Sequence, residues 1–155
     1  MKIYLDTCCY CRPFDNWTHL AQARVRQEIM AITDAIQVCG TSGVPVIGSP
    51  AVIAEMDDIG KPEKREQVRA FYSRVVNVEI VETEAITTRM QELKAYGLKG
   101  LDAYHAAFAE AAGVDFLLTT DDPFERTAKR LSLKTKVINP INFLGEYLIW
   151  QLLST

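Results

Sequence analysis

Short apolar runs alternate along this chain with longer stretches of helical period. The runs lie at residues 3–5, 44–47, 75–81, 116–120 and 136–138, and turn formers bound each of them. Runs of this length, rich in Val, Ile and Leu, read as buried strands. Between the first two, Asp15 or Asn16 can cap a long helix to about Val38, with Leu20, Val25, Ile29, Ile32 and Ile36 in period and Gly40 and Gly43 stopping it. A short helix after Ser49-Pro50 carries Ile53, Glu55 and Met56, and others are expected over 63–74, 83–96, 102–112, 123–131 and after Pro140. Strands alternating with helices predict a parallel sheet with helices on both faces. In such open α/β sheets, ligands bind beyond the carboxyl ends of the strands.

That rule singles out four acids. Asp6 ends the first run and Asp121 follows the fourth, so both are expected at the binding edge. Glu55 falls in the helix after the second run, and Asp102 opens a strongly helical stretch after Gly100, where a carboxylate also suits the helix dipole. Singly, each has a plain reading as a turn, capping or solvated residue. Jointly, they would form a site for hard divalent cations, which prefer oxygen ligands.

The 155 residues, 48% hydrophobic and 24% charged, suit one globular domain over 1–155. No apolar run reaches the roughly 18 to 20 residues that cross a bilayer, so no membrane association is expected, and a cytoplasmic protein is. Cys8, Cys9 and Cys11 crowd together while Cys39 stands alone, which is not a disulfide framework. Their spacing is also too compressed for a structural zinc site, and they read as reduced, small buried hydrophobes. A net charge of −3 argues against a broad nucleic-acid footprint, but a metal-binding acid cluster itself lowers that number. Local cations remain at Arg12, Lys61, Lys64, Arg65, Lys99, Arg126, Lys129 and Arg130.

The ordered motifs resemble the PIN-domain ribonucleases, a family that includes the VapC-type toxins of toxin–antitoxin pairs. Tyr4-Leu5-Asp6-Thr7 with Arg12-Pro13-Phe14-Asp15 resembles the first acidic motif and its loop. Ser49 to Glu55 resembles the second, Leu101-Asp102-Ala103-Tyr104-His105 through Gly113 the third, and Leu117 to Phe124 the fourth. Where many members carry a further acid, this chain has Pro123, so the fourth motif leans on Asp121 and Asp122. The resemblance implies a three-layer α/β/α PIN-like (Rossmann-like) fold with a parallel sheet of about five strands. It further implies an endoribonuclease that uses Mg²⁺ or Mn²⁺, with Asp6, Glu55, Asp102 and Asp121 as catalytic residues.

Under that resemblance Asp6, Asp102 and Asp121 hold the metal and Glu55 orients or activates the attacking water. Thr7 and Thr119 would support the acids. Asp122 would add a carboxylate or, in the preferred reading, cap the helix opening at Pro123. Arg12, Lys99 and His105 are candidate phosphate contacts, although a packed, hydrogen-bonded helix histidine is the simpler reading of His105. RNA is the expected substrate, and the toxin subclass implies an antitoxin partner and a homodimer. The run from Phe143 to Leu153 is apolar enough to dock on the core, or in part to form such a surface.

Two rival classes remain. One is a PIN domain that binds RNA or protein without cutting. The other is a phosphatase or phospho-receiver of similar architecture, and it fits poorly: a haloacid-dehalogenase-type site needs an Asp where Cys8 stands, and a receiver needs one after the third strand, where Glu82 stands.

Overall fold

The computed structural model describes residues 1–15 and 22–155. Elements follow in the order β1 (Ile3–Leu5), α1 (Thr7–Cys11), α2 (Ala23–Ser42), β2 (Val46–Gly48), α3 (Pro50–Asp57), α4 (Pro62–Val75) and β3 (Val78–Glu79). They continue with α5 (Glu84–Ala95), α6 (Asp102–Ala111), β4 (Phe116–Leu118), α7 (Asp122–Ala128), β5 (Lys136–Ile138) and α8 (Pro140–Ser154). A 3₁₀ turn over Arg12–Phe14 follows α1. The described strands form one five-stranded sheet in the order β3-β2-β1-β4-β5, with every pairing parallel. Helices cover it, giving the expected three-layer α/β/α arrangement.

This strand order places the binding edge. From β1 the chain steps outward to β2 and β3, then returns with β4 to the other side of β1. The order therefore reverses between β1 and β4, and the crevice outside their carboxyl ends is the switch point at which open sheets bind ligands. Asp6 and Asp121 flank it.

Burial explains why the central strands read as unbroken apolar runs. Ile3, Tyr4, Leu5, Leu117 and Leu118 are all inaccessible to solvent, as expected where helices pack on both faces. Each fully buried aliphatic side chain contributes about 2 kcal/mol. Alanines at 103, 106, 107 and 109 give α6 a small, buried surface that lies close to its neighbours.

Several boundaries differ from the sequence reading. Helix α2 passes through Gly40 and stops only at Gly43, whose φ of 67° is the left-handed cap that glycine accepts without penalty. Asp15 does not cap that helix: it closes the 3₁₀ turn, and its carboxylate pairs with Arg12 and Lys64. Asn16 and Leu20 lie outside the described residues. The second strand starts at Val46, whose N–H donates to the Asn77 side chain at 2.8 Å. The third shrinks to Val78–Glu79, since α4 runs on through Val75. The helix expected over 123–131 spans Asp122–Ala128.

Helix α8 docks through one half only. Phe143 stacks edge-on against Phe116 at 5.6 Å between centroids, and the Tyr147 hydroxyl donates to Ser42 Oγ at 2.9 Å. Beyond them Leu148, Ile149, Leu152 and Leu153 are exposed. No described helix is long and apolar enough to cross a membrane.

Candidate active site

The site begins with the last link of the β1–β4 ladder. The Asp6 N–H donates to the Leu118 carbonyl at 2.9 Å, which holds Asp6 extended at the strand end, with the residue only 6% exposed. Its Oδ2 accepts from the Thr119 hydroxyl at 2.7 Å and the Cys8 thiol at 3.2 Å. The same Thr119 oxygen accepts from the Asp121 N–H at 3.0 Å. One hydroxyl thus ties the β1 acid to the loop carrying the β4 acid.

Asp121 is the N-cap of α7, its Oδ1 accepting from the Phe124 N–H at 3.1 Å. The preferred reading of Asp122 as that cap is therefore corrected. Asp121 has the extended backbone a cap requires, whereas Asp122 is the first helical residue and points outward. There it forms a two-pronged ion pair with Arg24, at 2.8 and 2.5 Å, so it adds no carboxylate to the cluster.

Glu55 reaches the site from the middle of α3, a helix anchored by the Ser49 cap with Pro50 in its first turn. Its Oε1 accepts from the Thr7 hydroxyl at 2.9 Å and also meets His105 Nε2. Burial alone would raise its pKa, but the hydrogen bonds from His105 and Thr7 outweigh it and hold the group below its ordinary value.

Asp102 arrives through a turn in which Gly100 takes a φ of 54°, a conformation costly for residues with a Cβ. Burial, followed by repulsion from Asp6 and Asp121, pushes its carboxyl up from 3.8 to about 7. The Glu55 carboxylate adds to that repulsion. Asp6, Glu55, Asp102 and Asp121 therefore act on one another, as four acids around one crevice must.

His105 takes the simpler of its two readings, that of a packed, hydrogen-bonded helix histidine: it is 1% exposed, and both ring nitrogens are engaged rather than turned toward a phosphate. Nδ1 lies 2.6 Å from the Tyr4 hydroxyl, itself 2.5 Å from Ser49 Oγ. Nε2 faces Glu55 Oε1 and lies 3.2 Å from Asp6 Oδ1. Burial would depress its pKa, but the carboxylates of Asp6 and Glu55 raise it instead. One donor atom from each of Asp6, Glu55 and His105 falls within 4.8 Å of the others, a grouping compact enough for a metal ion. Its signals were present: His105 is three residues after Asp102 on a helix, and Tyr4 precedes Asp6 by two on a strand, so each pair shares a face.

The other expected phosphate contacts divide. Arg12 is committed elsewhere, 3.0 Å from Asp15, 2.9 Å from the buried Glu28 and 3.1 Å from the Thr120 hydroxyl. Lys99 is exposed in the turn before α6. Among the crowded cysteines, Cys9 is the buried hydrophobe expected, whereas Cys8 faces Asp6.

A model of the PIN domain matches residues 3–130, which takes in all four acids and every strand of the sheet but the last. The chain belongs to the PIN domain family. Among solved structures, this PIN domain is similar to the crystal structure of VapBC2 from Rickettsia felis bound to a DNA fragment from their promoter, with a TM-score of 0.60 and 16% identity. The likeness covers 90% of this chain and 98% of that one, and at such identity it concerns the fold. No curated protein sequence matches the chain significantly.

Proposed function

We propose that this PIN domain is an endoribonuclease dependent on Mg²⁺ or Mn²⁺, and that it is the toxin of a toxin–antitoxin pair. One observation carries the catalytic reading: the Asp102 carboxyl is pushed up to about 7 by burial and by neighbouring carboxylates at the switch point of the sheet. Among the described residues, His105 alone offsets the negative charge around Asp102, so the cluster is incompletely neutralised by protein. A crevice rich in carboxylate oxygens fits a hard divalent cation.

Asp6, Asp102 and Asp121 would hold that ion, directly or through water. When bound it would lower the pKa of water and offset charge developing on the phosphate. The protein's own part is orientation. Thr119 and Cys8 fix Asp6 by donating to one oxygen, which leaves Oδ1 toward His105 and the crevice. Glu55 is kept ionised by His105 and Thr7, the state in which it can accept a proton from an attacking water. Lys99, exposed and paired with no acid among the described residues, is the expected cation that would meet an RNA phosphate.

The toxin reading draws on the likeness to VapBC2 and brings its associated expectations: an antitoxin partner, a homodimer, one domain over 1–155 and a cytoplasmic site of action. The exposed apolar end of α8 is compatible with a protein partner. The alternative is a PIN domain that binds RNA or protein without cutting.

Cleavage of a mixed RNA pool with Mg²⁺ or Mn²⁺ separates these readings, comparing wild type with Asp6→Asn and Asp102→Asn. Metal-dependent products from wild type, reduced by about 100-fold or more in both variants, are expected. Equal cleavage by all three proteins, or none by wild type, would overturn the nuclease reading.

A further inference from the structure

The proposed chemistry uses His105 only to keep Glu55 ionised, yet this side chain is tied on both ring nitrogens. His105 is 1% exposed, and its imidazole joins four elements of the chain. Tyr4 on β1 meets Nδ1, Ser49 at the end of β2 backs Tyr4, and Nε2 on α6 reaches across to Glu55 on α3. Tyr4 and Ser49 are themselves inaccessible to solvent.

The hydrogen-bond roles follow from the partners. Carboxylate oxygens only accept, so Nε2, facing Glu55 and Asp6, carries the proton. That holds whether or not Nδ1 is also protonated, because the Tyr4–Ser49 hydroxyl pair can receive or donate at Nδ1 by rotating. The arrangement is geometric and does not depend on a titration.

The two donors to Glu55 share one target. Both Thr7 Oγ1 and His105 Nε2 meet Oε1, and among the described residues no hydrogen bond reaches Oε2. A glutamate in mid-helix otherwise has three torsions to explore, and this one is about one-third exposed. Anchoring one oxygen while leaving the other unengaged holds the carboxylate in a single orientation, ready for a water.

We infer that His105 is a positioning residue, fixing the orientation of Glu55 through Nε2–H and taking its own from Tyr4 and Ser49. The inference rests on the nuclease reading of the site. It assigns His105 no contact with RNA and no place among the metal ligands.

The test compares wild type, His105→Ala, His105→Gln, Glu55→Gln and Asp6→Asn in single-turnover cleavage of an RNA oligonucleotide, in Mn²⁺ binding followed by electron paramagnetic resonance, and in thermal unfolding. Crystal structures of the metal-free wild type and His105→Ala report the Glu55 orientation. His105→Ala is expected to slow cleavage by about 10- to 100-fold, the usual cost of removing a group that orients a metal-site residue. Its RNA concentration dependence and Mn²⁺ affinity should change by less than about threefold, with Glu55 adopting a new rotamer. His105→Gln, whose amide nitrogen reaches roughly the place of Nε2, should recover most of the rate. Wild-type cleavage by His105→Ala overturns the inference while leaving the nuclease reading intact. So does a folded His105→Gln protein as slow as Glu55→Gln, an outcome that also decides the matter should the Ala variant unfold. Absence of metal-dependent cleavage by wild type overturns both readings.

Discussion

Replacing Asp102 with asparagine should stabilise the metal-free protein at pH 8 and leave its stability nearly unchanged at pH 3. The Asp102 carboxyl rises from 3.8 to about 7 in the folded protein because burial, Asp6 and Asp121 all disfavour its charge. Folding therefore holds a proton that the unfolded chain has already lost. Below the unfolded value the acid is protonated in both states and costs nothing; stability then falls as pH climbs toward about 7, and above that the full penalty applies. Complete transfer of that difference would amount to about 4 kcal/mol. Asp102 is only partly buried, and solvent screening reduces the figure to about 1 to 2 kcal/mol. For a domain of this size each kcal/mol shifts Tm by about 2 to 4 °C.

Scanning calorimetry in EDTA at pH 3 and pH 8 reads the effect directly. Asp102→Asn should melt about 2 to 8 °C above wild type at pH 8 and within about 1 °C of it at pH 3. Saturating Mn²⁺ should reverse the ranking. A ligand at 100 times its Kd stabilises by about 2.7 kcal/mol, and the asparagine variant would forfeit most of that gain. A variant less stable than wild type at pH 8 in EDTA, or a difference identical at both pH values, would refute the electrostatic account.

Other perturbations probe the frame. Gly48→Ala would place a Cβ 2.8 Å from the Tyr72 ring and from Val76, and crowding of this kind should cost about 2 to 3 kcal/mol in urea unfolding. Glu28→Ala removes a buried carboxylate shared by Arg12, Arg24 and Asn139, and should cost about 2 to 3 kcal/mol by the same measurement. Asp122→Asn, at the exposed end of the Arg24 pair, should cost under about 1 kcal/mol and leave cleavage unchanged. Asp121→Ala removes both a helix cap and a proposed ligand, so it should lose about 1 kcal/mol together with cleavage.

Much of this molecule was legible before any tertiary information. Apolar runs at 3–5, 116–120 and 136–138 reported buried parallel strands because a strand covered on both faces has no polar side to interrupt it. Gly43, Ser49-Pro50 and Pro140 marked helix ends through backbone conformation and side-chain capping, both local properties. Asp6, Asp102 and Asp121 could be nominated for the same reason, each standing just past a strand or at a helix start, and Glu55 through the short helix that follows the second strand. Local signals failed where two of them competed. Asp122 was the preferred cap of the helix opening at Pro123, and the extended backbone at Asp121 gave that place to Asp121 instead. Gly40 carried a stop signal that helix packing overrode, whereas the left-handed Gly43 stopped the chain.

What the chain by itself determined, then, was the kind of fold and the acids at its binding edge, since periodicity and capping act over a few residues. Only the tertiary structure decided how those acids are held. The strand order brings positions 4, 6, 49, 55, 105 and 119 into one hydrogen-bonded group around the switch point. Contacts between residues as much as 113 positions apart leave no trace in local pattern, so the buried string from Ser49 through Tyr4 and His105 to Glu55 emerged only once the sheet was assembled.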